Sequence, residues 1–97
     1  MNYWVFRNHK RQSDKIIQHL TKCGASVGFN LYARQVHNIQ FAVGNDHFWV
    51  VREGRQWHIS LATKQGKIQH IKLDEFDSKK FWIQLEAIVI VVFSRNV

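Results

Sequence analysis

The chain has 97 residues, 45% of them hydrophobic and 13% aromatic, with no proline; that is enough apolar material for one small packed core and too much for a disordered segment. Fourteen Lys and Arg against seven Asp and Glu leave a formal charge of +7, which favours a polyanionic partner, nucleic acid above all, because covering phosphate releases counterions. A single cysteine excludes an internal disulfide and points to the reducing cytoplasm, and the longest apolar run, residues 87–93, is too short to span a bilayer.

In chain order, Tyr3, Val5 and Arg7 alternate with Trp4 and Phe6, the pattern of a short first strand. The opening NYWVF resembles the first strand of EVE-type domains of the PUA-like group over these five residues, and nothing further along the chain follows that pattern. Residues 8–12, NHKRQ, form a basic link; the apolar stretch before them is too short for a signal peptide. Ser13 or Asp14 then caps a helix with Ile16, Ile17 and Leu20 on one face and Gly24 as its stop. Residues 27–37, VGFNLYARQVH, alternate at Val27, Phe29 and Leu31 but lose their period after Arg34, which fits a strand or an irregular segment.

From Asn38 onward apolar runs recur about every ten residues with turn residues between them: IQFAV, HFWVV, WHISLA and IQHIKL. That spacing predicts an antiparallel β-meander of about four strands over residues 38–73. Asp77 is the expected cap of a second helix, with Phe76 and Phe81 as a hydrophobic staple. Phe81, Leu85, Ile88 and Val92 share a helical face over residues 78–93, although the β-branched run at 88–92 also allows a helix followed by a strand. The expected fold is α+β in a single domain, residues 1–97: a meander with a helix near each end and a short N-terminal strand, one sheet face covered and the other open.

The hairpin HFWVVREGRQWHISL, residues 47–61, is the most informative stretch. A two-residue loop at Gly54 and Arg55 puts Phe48, Val50, Trp57, Ile59 and Leu61 on one face, and His47, Trp49, Val51, Gln56, His58 and Ser60 on the other. A three-residue loop at 52–54 would instead move Trp49 to the face of Trp57. The first register separates apolar from polar side chains and is preferred.

Three functions are compatible with these residues. The first is a small basic module for nucleic acid, RNA or single-stranded, in which Trp49 and His58 stack on bases while Arg52, Arg55, Lys64, Lys67 and Lys72 meet phosphate. The second is a protein-binding inhibitor or regulator that docks on an acidic partner protein, with Trp and Arg as anchors. The third is a metal-independent ribonuclease of toxin type, in which His58 with His47 or His70 supplies acid and base and Arg55 stabilises charge. A binding role is expected over an enzymatic one.

No HxH, HxxxH or CxxC spacing occurs, so no metal site is expected. Neither Walker nor dinucleotide glycine motifs are present, so no cofactor is expected either. Glu53-Gly-Arg55 departs from the Glu-x-Lys of metal nucleases, and Asp74, Glu75 and Asp77 are accounted for by helix capping. The sequence does not set an oligomeric state.

Overall fold

A computed structural model describes residues 3–24, 30–43, 46–62 and 66–96. Its elements are α1 (Tyr3–Gly24), β1 (Asn30–Gln35), β2 (Asn38–Val43), β3 (Asp46–Glu53), β4 (Gln56–Ala62), β5 (Ile68–Lys72) and α2 (Lys79–Asn96). The strands form one antiparallel sheet in the order β1-β2-β3-β4-β5, so the fold is α+β. The expected four-strand meander is β2 to β5, and β1 extends it to five.

The first departure from the sequence reading lies at the N-terminus. Residues 3–7 are not a strand and residues 8–12 are not a link; both belong to the first turns of α1, and the short likeness of NYWVF to an EVE-type strand goes with them. No Gly or Pro interrupts the chain between Tyr3 and Cys23, so nothing local stops the helix. His9, Gln12, Ser13, Ile16 and Leu20 follow helical spacing along its inward side, with Ser13, Ile16 and Leu20 fully buried. The first half of that stripe is polar and therefore invisible to a hydrophobic period. Ser13 and Asp14 accordingly sit mid-helix rather than at a cap.

Polar groups stand in for apolar contacts where α1 crosses the hairpin. The Gln12 side-chain oxygen accepts from Trp57 Nε1 at 2.9 Å and from the Arg52 guanidinium at 2.6 Å. Trp57 is thus buried with its N–H satisfied. Arg34 in β1 donates to Asp14, and Lys15 pairs with Asp77 at 3.3 Å, tying α1 to β1 and to the start of α2.

The sheet alternates as the preferred register requires. Arg52 pairs with Trp57 and Glu53 with Gln56, leaving Gly54 and Arg55 as a two-residue loop. Gly54 has φ 63° and Arg55 has no positive φ, the requirement of a type II′ turn. Ile39, Phe41, Phe48, Val50, Trp57, Ile59 and Leu61 are all buried and join Ile16, Leu20, Phe81, Leu85, Ile88 and Val89 in one core. Both helices therefore pack on the same side of the sheet.

Residues 79–96 are one helix, so the β-branched run does not break away as a strand. Leu85, Ile88 and Val89 bury one side of it, and that burial outweighs the modest helix propensity of Ile and Val. The cap is Ser78 rather than Asp77: Ser78 Oγ accepts from the Phe81 N–H at 3.1 Å. Asp77 precedes it with φ 68°, a left-handed conformation that Asp tolerates, and its carboxylate accepts from Trp82 Nε1 at 2.9 Å. The Trp82 and Lys15 hydrogen bonds hold the Asp77 carboxyl below its usual range. Phe76 does meet Phe81, their rings 5.2 Å apart.

Candidate nucleic-acid interface

The side of the sheet turned away from both helices is built by the alternate residues of the same strands. Register places Gln40 opposite Trp49, Trp49 opposite Ser60 and Ser60 opposite His70, a row across β2 to β5. A second row runs through Asn38, Val51, His58 and Lys72. Gln40, His47, Trp49, Val51, His58 and Ser60 are half-buried by their neighbours within the sheet, while His70 and Lys72 are exposed.

Rings spread over this face. A bulge between Leu31 and Ala33 sets Tyr32 against His47, edge-on at 5.1 Å, and His47 lies nearly parallel to Trp49 with centroids 6.5 Å apart. Gln40 Nε2 lies 3.1 Å from His47 Nδ1 and fixes that imidazole. Trp49, Ala33, Arg34, Gln35, Asn38 and Gln40 line a shallow hollow of about 230 Å³. A stacking surface rimmed by carboxamides suits an unpaired base, whose face needs a ring and whose edge needs donors and acceptors.

A larger hollow, about 500 Å³, opens at the other side of the face, lined by Glu53, Gln56, Trp57, His58, His70 and Lys72. His58 and His70 stand edge to face with centroids 5.9 Å apart. His70 Nδ1 is 3.0 Å from Ser60 Oγ, and His58 Nδ1 is 3.8 Å from the Glu53 carboxylate. The hollow thus combines two imidazoles, one carboxylate and one ammonium.

Trp49, His58 and Lys72 therefore share the open face. Arg55 is exposed at the turn and Lys67 is exposed just before β5, both at its margin. Lys64 lies outside the described residues. Arg52 departs from expectation: its register with Trp57 turns it to the helix side, where it bonds Gln12 and lies 6.0 Å over the Trp57 ring. Burial lowers the Arg52 pKa, and its Nε is buried with no hydrogen bond. It is a structural cation rather than a member of the open face.

Of the histidines named for ribonuclease chemistry, His58 and His70 come together, whereas His47 joins Tyr32 and Trp49 instead, and Arg55 does not line the hollow. Tyr32 and Gln40 were not among the sequence candidates. Tyr32 is displaced by a bulge that no local pattern announces, and Gln40 matters only through its register with Trp49.

Two further titratable clusters lie on the helix side. His9 Nδ1 is 2.7 Å from His37 Nε2, near Arg52. Burial first, then Arg52 and His37, lower the His9 pKa from its ordinary 6.5. Among the described residues, His19, Cys23 and Glu86 are the one group of three whose donor atoms are close enough for a metal ion. Burial and the Glu86 carboxylate push the Cys23 thiol up, against a smaller opposite effect of Lys22, so Cys23 lacks the low pKa of a nucleophilic cysteine. Among the described residues no helix is long and apolar enough to cross a membrane.

Comparison with protein-family models, with curated proteins and with solved structures finds no match to this chain.

Proposed function

We propose that the open sheet face binds single-stranded nucleic acid, RNA in particular, in the reducing cytoplasm. The observation that carries this reading is the segregation of the hairpin: Trp57 is buried under α1, while Trp49 lies with Tyr32, His47, His58, His70 and Lys72 on the side that the described helices leave uncovered. Trp49 stacks a base, Gln40 and Asn38 bond its edge, and Lys72, Arg55 and Lys67 meet phosphate. Base stacking on an aromatic platform is sequence-tolerant, so selectivity rests on the carboxamides at its rim.

Fluorescence anisotropy of labelled RNA and single-stranded DNA tests this directly. Binding at low salt that weakens steeply as salt rises is the expected result. Absence of binding to either strand at low salt overturns the proposal, and capture of an acidic protein that survives nuclease treatment would point to the protein-docking alternative instead.

A second reading has one observation in its favour, the His58–His70 pair beside Lys72. In RNA cleavage one imidazole would take the proton of the 2′-hydroxyl as that oxygen attacks phosphorus. The other would protonate the departing 5′-oxygen, while Lys72 balances the charge gathering on the phosphate. RNA cleavage in EDTA that disappears with His58→Ala is what this reading requires.

A further inference from the structure

On the side of the molecule away from the open sheet face, α1 and α2 meet at His19, Cys23 and Glu86. His19 and Cys23 are four residues apart and so lie one above the other on α1. Glu86 comes from α2, and the ligand atoms of all three lie within 4.8 Å of one another. A search of the sequence for His and Cys pairs of like kind passes over this group, because its spacing is His-x3-Cys and its third member is 63 residues beyond Cys23.

Two observations separate this cluster from an ordinary surface ion pair. His19 Nε2 stands 3.3 Å from Glu86 Oε1, yet it makes no hydrogen bond and is shielded from solvent. A close approach without alignment leaves a buried nitrogen unsatisfied, which folded proteins usually avoid. The 3.3 Å separation also matches the edge of a tetrahedron whose metal–ligand bonds are about 2.0–2.1 Å, the zinc distances to imidazole and carboxylate. A cation between the two atoms would take both lone pairs and remove the misfit. Trp82, whose ring centroid is 4.6 Å from that of His19, restricts the imidazole.

We propose that His19, Cys23 and Glu86 bind a zinc-class divalent cation that clamps α1 to α2. The donor set of one nitrogen, one sulfur and one oxygen suits Zn²⁺ and its spectroscopic substitute Co²⁺, and excludes Mg²⁺ and Ca²⁺, which prefer oxygen ligands throughout. Three protein ligands leave a fourth position for water or a further donor. Small rotations of Cys23 and Glu86 complete the contraction from 4.8 Å, and both are surface side chains with room to turn.

Titration of the full chain with Co²⁺ under reducing conditions tests the site. One equivalent should produce a thiolate-to-cobalt charge-transfer band and the intense visible absorption of tetrahedral cobalt, and Zn²⁺ should displace both. Cys23→Ser should abolish the charge-transfer band while leaving the circular dichroism unchanged, since Cys23 is at the surface. His19→Ala and Glu86→Gln should each weaken zinc binding by about 100-fold or more, above the 10–100-fold typical of losing a group that only orients a ligand. Absence of the charge-transfer band at saturating cobalt overturns the proposal. So does a band that survives both His19→Ala and Glu86→Gln, or one that saturates at half an equivalent, which would mean a thiol shared between two chains.

Discussion

The two faces of the sheet are cut from the same strands and differ only in which alternate residues they present. On the helix side Phe41, Phe48, Val50, Trp57 and Ile59 are sealed under α1 and α2; on the other side Gln40, His47, Trp49, His58 and Ser60 keep part of their surface open. The two tryptophans of the hairpin show the contrast most directly. Trp57 has its ring in the core and its N–H on Gln12, whereas Trp49 lies beside the His47 imidazole and a rim of carboxamides. Period-two alternation lets a 97-residue chain separate the side chains that hold it together from those free to meet a partner.

Substitutions on either side of that division should therefore fail in different assays. Phe48 is fully buried and stacks on Phe41 at 5.4 Å. Phe48→Ala should lower folding stability by about 3–5 kcal/mol in urea titration, a large share of what a small domain has. Trp49→Ala, by contrast, should change stability by only about 1 kcal/mol or less, the scale of one cross-strand pair. Its cost should fall on RNA affinity, by about 1–3 kcal/mol, read by anisotropy. If Trp49→Ala unfolds the protein or leaves affinity untouched, the functional assignment of the open face fails.

The arginine and lysine nearest the hairpin sharpen the same contrast between faces. Lys72→Ala should reduce the slope of log affinity against log salt by about one and leave urea unfolding within about 0.5 kcal/mol of the parent. Arg52→Met should do the opposite, because it removes a charged hydrogen bond to Gln12 and the contact over Trp57. A loss of about 1.5–3 kcal/mol in stability is expected from that bond, with the salt slope unchanged. An equal change of slope in both variants would show that Arg52 reaches the ligand after all.

The hairpin was legible in the sequence because only one register separates its apolar from its polar side chains. A glycine at position 54 fits a loop of two residues or of three, and the alternation chose between them, because a slip by one would have turned Trp57 outward beside Trp49. The first half of α1 was not legible, since Gln12 and Ser13 fill inward positions that a hydrophobic period expects to be apolar. Gln12 earns its place only through Arg52 and Trp57, 40 and 45 residues away, and no local pattern encodes such a partner. The open face was half legible for the same reason. Trp49 and His58 follow from one hairpin, but Tyr32 and His70 join them only through the outer strands, whose bulge and register are properties of the sheet.

The smallest expected effect lies on the helix side, at the polar seam where α1 meets two turns. His9 of α1 faces His37 of the β1–β2 turn and Arg52 of β3, and the His37 carbonyl accepts from the Arg52 backbone N–H at 2.9 Å. At 2.7 Å one imidazole must donate and the other accept, so the pair needs at least one neutral ring. The folded-state pKa of His9 is lowered from 6.5 by burial, then by Arg52 and His37. Below 6.5 the unfolded chain therefore takes up this proton before the folded one does, and stability falls with pH in that range. The contribution of His9 is fully present above pH 6.5 and is lost as pH drops through the lowered folded-state value. The urea midpoint should decrease between pH 7.5 and pH 5, and His9→Gln should reduce that decrease while leaving the midpoint at pH 7.5 nearly unchanged. A parent and variant that lose stability in parallel would place the pH sensitivity elsewhere.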